Sequence, residues 1–137
     1  MRVLLLMMAA LAVTFKTVES DSGRVVCYYS SWAVYRRGVG SYSIDSIPAN
    51  LCTHIVYAFV GIKNDTNELL FIDYENEVVY GRFKNFTSLR SQYPHVKFMA
   101  AVGGWGEGGA KFSKMVSTTA SRKNFTKSVV NHSMQFS

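Results

Sequence analysis

The chain has 137 residues, of which 48% are apolar and 14% aromatic, and its formal net charge is +6 at pH 7. This apolar content excludes a disordered chain. The basic residues are scattered, with adjacent pairs only at Arg36-Arg37 and Arg122-Lys123. The charge therefore predicts a solvated surface and no nucleic-acid partner.

The first 20 residues have the pattern of a secretory signal peptide. Arg2 gives a basic start, residues 3–13 form an unbroken apolar run, and Thr14 and Lys16 follow it. The run is too short for a membrane span, which needs about 20 residues. A buried N-terminal helix is the alternative, but the run lacks the polar face of such a helix. We expect cleavage after Ser20, a secreted, extracellular protein and no membrane partner.

Three apolar segments are predicted to form strands buried on both faces: residues 24–31, 53–62 and 96–102. Helices are predicted at residues 76–91, at 111–118 and again from Ser121. The first of these helices has its apolar residues at helical spacing, namely Val79, Phe83, Phe86 and Leu89. Strands separated by crossovers of this length predict a parallel α/β sheet, either an open doubly wound sheet or an eight-stranded barrel.

A glycine-rich segment follows the third predicted strand. Gly104, Gly106 and Gly109 satisfy the pattern G-x-G-x-x-G. However, the segment follows the third strand and not the first, and it contains Trp105 and Glu107, which are poor neighbours for a pyrophosphate. Glycines at a strand end also allow a ligand to approach the backbone, and an indole face suits a pyranose ring. Trp105 therefore indicates either a sugar site or a core plug.

Four aromatic residues of the first two strands and their ends are candidates for the same site: Tyr28, Trp32, Tyr57 and Phe59. Core packing is the alternative for all of them, and it is favoured without further information. Glu107 is a candidate catalytic carboxylate, but it is interpreted as a solvated loop charge, since no acidic neighbour is present to raise its pKa. His54 is expected to be a satisfied strand histidine, whereas His95 and His132 are expected to be exposed.

Two further features agree with a secreted protein. Cys27 and Cys52 are the only cysteines, and a lone pair in an oxidising compartment is usually a disulfide. Two cysteines alone make a poor zinc site, and we expect no metal. Four N-x-S/T tripeptides are candidate N-glycosylation sites, at Asn64, Asn85, Asn124 and Asn131.

Three segments in order carry a resemblance to a known family. They are V-V-C-Y-Y at residues 25–29 with Trp32, L-C-T-H-I-V-Y-A-F at residues 51–59, and A-V-G-G-W at residues 101–105. Together they resemble the first three strands of family 18 glycoside hydrolases, and most of all those of arthropod chitinases. The resemblance covers residues 24–130, and the ordered set is far more specific than any single piece.

The resemblance implies an α/β fold that supplies about three of the eight β/α units of a (β/α)8 TIM barrel. It implies chitin or a chito-oligosaccharide as the ligand, no cofactor, and a disulfide between Cys27 and Cys52. It also implies substrate-binding roles for four residues, namely Tyr28, Phe59, Gly104 and Trp105. Trp32 matches a family aromatic residue near the same cleft.

The family's catalytic motif, D-x-x-D-x-D-x-E, is not formed by any of the nine acidic residues. We therefore expect no catalytic residue in this chain and no hydrolysis without the C-terminal part of the barrel. The expected organisation is a signal peptide at 1–20, a partial catalytic domain at 21–130 and a divergent tail at 131–137. The alternatives are a non-catalytic sugar-binding protein and a non-functional truncated isoform.

Overall fold

The computed structural model describes residues 23–136, so the predicted signal peptide lies outside the described residues, as does Ser137. These described residues form four strands: β1 (Val26–Ser30), β2 (His54–Ile62), β3 (Leu69–Leu70) and β4 (Lys97–Val102). The same part of the chain forms three α-helices, which follow β3 or β4: α1 (Arg82–Gln92), α2 (Ala110–Val116) and α3 (Thr119–Gln135). Within residues 23–136, no helix is both long enough and apolar enough to cross a membrane.

The three long strands form the parallel sheet that the sequence predicts. Strand β2 is central and pairs in parallel with β1 on one side and with β4 on the other. Tyr28, Val56 and Met99 therefore lie side by side across the sheet. The two-residue strand β3 pairs antiparallel with the end of β2, which the sequence analysis missed because a two-residue strand has no periodicity to detect.

The core lies between one face of the sheet and the helices. Tyr57 of β2 contacts Phe86 of α1 edge-on, with ring centroids 5.2 Å apart, and Phe98 of β4 contacts the same ring at 5.4 Å. Tyr29 of β1 stacks on Phe86 as well. Such aromatic pairs contribute about 0.5–1.5 kcal/mol each beyond the area they bury. The helix face of the sheet is therefore the well-packed face.

The opposite face of the sheet is open on its outer strands. Tyr28 is 64% exposed, and Val26 and Met99 are about half exposed. Val56 between them on β2 is buried. The prediction that all three strands are buried on both faces is thus wrong for β1 and β4, because among the described residues each of them pairs with a neighbour on one side only.

The predicted helix at 76–91 is wrong in its first turn. Residues Glu75–Val79 form a wider π-type turn, and Gly81 with φ +68° separates this turn from α1. Val79 is exposed, whereas Glu77 is fully buried. Glu77 faces the core because its carboxyl group accepts hydrogen bonds from the Tyr57 hydroxyl at 2.9 Å and from the Asp73 amide at 3.1 Å.

The last helix begins at a capping box, in which Thr118 and Ser121 bond each other's backbone amides. It continues without a break to Gln135, and Phe136 then packs on Phe83 at 5.2 Å. His132 is partly buried, since its ring lies 5.3 Å from that of Phe71. The expectation that His132 is exposed is therefore wrong.

Candidate functional site

A cleft of about 590 Å³ lies at the carboxyl ends of the parallel strands. Its lining combines aromatic rings with glycine backbone: Trp32, Phe59, Ile72, Gly103, Gly104, Trp105, Gly106 and Glu107. These residues come from four places in the chain, namely the turn after β1, strand β2, the segment after β3 and the loop after β4. The structure thus brings together four of the five predicted sugar-binding residues.

Phe59 reaches the cleft through an irregularity in β2. The pairing of β2 with β4 shifts between Ala58 and Val60, so Phe59 has no partner in the register. A shift of this kind redirects a side chain from the face that strict alternation would assign. The Phe59 ring stacks on Trp32, with centroids 5.8 Å apart and an interplanar angle of 16°, so the two rings form one aromatic wall.

The aromatic wall formed by Trp32 and Phe59 leaves room only for glycine at position 104. The φ of Gly104 is +98°, a conformation that other residues rarely adopt. A Cβ added there would lie 2.8 Å from Cδ2 of Phe59, well inside van der Waals contact. The neighbouring Gly103, at φ +122°, lies under the ring of Phe112. Both glycines therefore allow the loop backbone to pass directly over an aromatic ring.

Trp105 lies at the rim of the cleft and is 100% exposed. The alternative that it plugs the core is therefore wrong. A fully exposed indole buries no apolar surface in the free chain, so it is available to cover the face of a ligand. Trp105 thus adds an exposed aromatic face to the rim of the cleft.

Tyr28 and Tyr57 fall on opposite faces of the sheet. Tyr57 is buried and belongs to the core, as the core interpretation expects. Tyr28 is exposed on the open face and does not line the cleft. Ile72 lines the cleft but was not predicted, because it lies in an irregular segment with no signal of its own.

Glu107 is not the solvated loop charge that the sequence suggests, since its side chain is only 8% exposed. Both carboxylate oxygens lie 3.0 Å from Nζ of Lys111, and Oε2 also accepts the Ile62 amide at 3.1 Å. Its oxygens are fully engaged within the protein. This geometry fits a structural ion pair and gives no support to an acid catalyst.

The remaining predicted residues are placed as follows. Cys27 and Cys52 form a disulfide that joins β1 to the segment before β2, as predicted. His54 contacts the Thr53 hydroxyl through Nδ1 at 2.9 Å, so the expectation of a satisfied histidine is confirmed. His95 is exposed, as expected. All four sequon asparagines are exposed: Asn64, Asn85, Asn124 and Asn131. In the stretch 23–136, no group of three or more His, Cys, Asp or Glu residues is arranged to hold a metal ion.

Comparison with known proteins supplies the context of this cleft. The chain is 52% identical over 132 residues to an endochitinase of Manduca sexta. The aligned region covers 96% of this chain and 24% of that protein. Its fold matches a Group IV chitinase of Ostrinia furnacalis with TM-score 0.78 and 42% identity, over 83% of this chain and 31% of that one. The chain therefore spans about a quarter to a third of these relatives.

A more distant structure is human YKL-39, described as a pseudo-chitinase with retained chitooligosaccharide binding, at 27% identity and TM-score 0.69. The match covers 82% of this chain and 30% of the YKL-39 chain. The model of the family called glycosyl hydrolases family 18 matches residues 24–136. With the parallel strands, the disulfide and the aromatic cleft at the strand ends, this match shows that the chain belongs to glycosyl hydrolase family 18.

Proposed function

We propose that this cleft binds chitin or a chito-oligosaccharide as one part of a chitinase-type barrel. The observation that carries the proposal is the stacked pair of Trp32 and Phe59 beside the fully exposed Trp105, over the Gly103-Gly104 backbone. In (β/α)8 barrels, ligands bind at this end of the strands. The chitinase relatives support the choice of ligand.

The chemistry of the ligand fits the lining. A pyranose ring in a β-1,4-linked chain presents a flat apolar plate of C–H bonds on each face, and aromatic rings cover such plates at low entropic cost. Of the lining glycines, Gly106 has open space where a Cβ would be, so an acetamido group can approach its backbone closely. Tyr28, exposed on the neighbouring strand, is proposed to extend the same surface toward the interior of the barrel.

Hydrolysis is proposed for the complete barrel and not for these residues alone. Family 18 chemistry is substrate-assisted and needs an acid glutamate with a supporting aspartate. None of the nine acidic residues forms the family's acidic motif, and a complete barrel takes about 250 residues. The C-terminal β/α units are therefore the proposed partner of this segment, and they supply the acid.

A second candidate function is sugar binding without hydrolysis. The locked carboxylate of Glu107 leaves no free acid among the residues that line the cleft. The fold likeness to YKL-39 shows that this architecture occurs in a protein described as a pseudo-chitinase that retains oligosaccharide binding. Both candidates require the same aromatic surface and differ only in whether an acid motif completes it.

Retention on chitin tests the binding proposal. We expect the purified chain to be retained and Trp105→Ala to reduce retention, because the exposed indole is the proposed platform. Tyr80→Ala is the matched control, since Tyr80 is an exposed aromatic outside the cleft lining. Equal retention of both variants would count against the site. Release of sugar by the chain alone would contradict the assignment of the acid to C-terminal β/α units.

Secretion and glycosylation are proposed together. The apolar leader at residues 3–13 and the four exposed sequons support both. Expression in insect cells is expected to yield a chain in the medium that begins near Asp21 and loses mass on treatment with an N-glycosidase. A chain retained in the cell with Met1 intact would contradict this expectation.

A further inference from the structure

The loop that carries Trp105 is built almost entirely of glycine. Among residues 103–109, only Trp105 and Glu107 have side chains. Glycine backbone has the largest conformational freedom to lose, so such a loop is not rigid by its own composition. The Gly103 amide donates to the Val60 carbonyl at 2.9 Å and so ties the start of the loop to β2. Beyond that point, Glu107 is the only other residue within 103–109 whose side chain can hold the backbone around the exposed indole in place.

Glu107 connects this loop to two separate elements. Its carboxylate accepts the Ile62 amide at the end of β2 and the Lys111 ammonium group on α2. Within the loop, its own amide donates to the Gly104 carbonyl at 3.2 Å. Charge-assisted hydrogen bonds of this kind are about twice as strong as neutral ones. The loop is thereby tied to the strand that carries Phe59.

The strand has a matching recess for the carboxylate. A Cβ at Gly61 would lie 2.9 Å from Oε1 and 3.0 Å from Cδ of Glu107. Gly61 is buried, so the carboxylate packs directly against its backbone. The Glu107 side chain is 8% exposed, while Trp105, two residues earlier, is fully exposed. One residue of the loop is thus an anchor and the other is free to meet a ligand.

We propose that Glu107 is a positioning residue of the sugar cleft, which ties the glycine loop to the end of β2 and so holds Trp105 at the cleft rim. It does not touch the ligand and transfers no proton. The part that concerns sugar rests on the proposed function, whereas the part that concerns loop order does not.

The test reads loop order directly from Trp105. The chain has two tryptophans, so Trp32→Phe leaves Trp105 as the only one while keeping a ring against Phe59. Time-resolved fluorescence anisotropy then reports nanosecond motion of the loop. In this background, we expect Glu107→Gln to increase the fast component of the decay, because an uncharged amide loses the ion pair with Lys111.

The matched control is the other ion pair of the described residues. Lys63 and Glu68 are also 3.0 Å apart, but they are more than 40% exposed and lie outside the cleft lining. Glu68→Gln is therefore expected to leave the anisotropy decay unchanged. If Glu107→Gln fails to fold by circular dichroism, Lys111→Met tests the same tie from the helix side. An unchanged decay in the folded variant overturns the proposal.

Affinity for a chito-oligosaccharide is measured on the same chains, each with Trp32 restored. In Glu107→Gln the mobile loop has to be ordered on binding, so we expect the affinity to fall by about two- to ten-fold. In Glu68→Gln we expect the affinity to stay unchanged. An increase in loop motion without any loss of affinity overturns the positioning role. If the parent chain binds no sugar, the proposed function fails, and the anisotropy alone still decides whether Glu107 orders the loop.

Discussion

Replacing Gly104 with alanine is expected to destabilise the chain strongly, although Gly104 itself is exposed. Its φ of +98° places a non-glycine residue in strained backbone, at a cost of about 1–3 kcal/mol. The added methyl group would lie 2.8 Å from the Phe59 ring, which is already stacked on Trp32. Moving that ring off its rotamer costs a further 0.5–1.5 kcal/mol or so.

The two costs together lower the free energy of unfolding by about 2 kcal/mol or more. The free energy of unfolding falls further if Phe59 no longer stacks on Trp32. Urea unfolding, followed by tryptophan fluorescence at micromolar concentration, measures this change. With a slope of about 1–3 kcal/mol/M, the midpoint is expected to fall by about 1 M. Retention on chitin is expected to fall as well, because the aromatic wall is displaced.

Gly106→Ala is the matched control. Gly106 is two residues away in the same loop, has no positive φ, and has open space where a Cβ would be. Its substitution is expected to change the free energy of unfolding by less than about 0.5 kcal/mol. The reasoning is refuted if the two substitutions lower the midpoint equally, or if Gly104→Ala leaves it unchanged.

Three further perturbations have defined outcomes. Burial raises the pKa of Glu77 above its ordinary value of 4.5, so just above this pH the folded chain keeps the carboxyl proton while the unfolded chain releases it. Urea midpoints are therefore expected to fall as the pH rises above about 4.5. The fall is expected to be less steep in Glu77→Gln, which has no proton to release at this position. Reducing the disulfide of Cys27 and Cys52, which are 25 residues apart, is expected to cost about 3.5 kcal/mol through loop entropy, and equal midpoints with and without reductant would contradict this. The buried Ser128 hydroxyl accepts the Leu69 amide at 2.8 Å, so Ser128→Ala is expected to cost about 1–3 kcal/mol in the same assay, whereas a neutral effect would indicate that water replaces the hydroxyl.

Much of the fold was predictable because its signals are local. The apolar runs at β1, β2 and β4 predict strands, and their spacing predicts parallel pairing. The helix at 76–91 was predicted too long, because its apolar spacing continues through Val79 while the backbone does not. Its first turn is shaped instead by the buried carboxylate of Glu77, whose partner Tyr57 is 20 residues away in sequence. Distant pairings of this kind leave no local pattern.

The sequence by itself determined the family, the strands and the disulfide, since ordered motifs and apolar runs are properties of neighbouring residues. Only the tertiary structure decided which side chains face the cleft. Strict alternation puts Phe59 on the same face as Tyr57, and the register shift against β4 redirects it to stack on Trp32. Likewise, the sequence predicts a solvated Glu107, but its side chain is buried in the fold, because the Ile62 amide, 45 residues away in sequence, reaches it only when β2 and β4 pair.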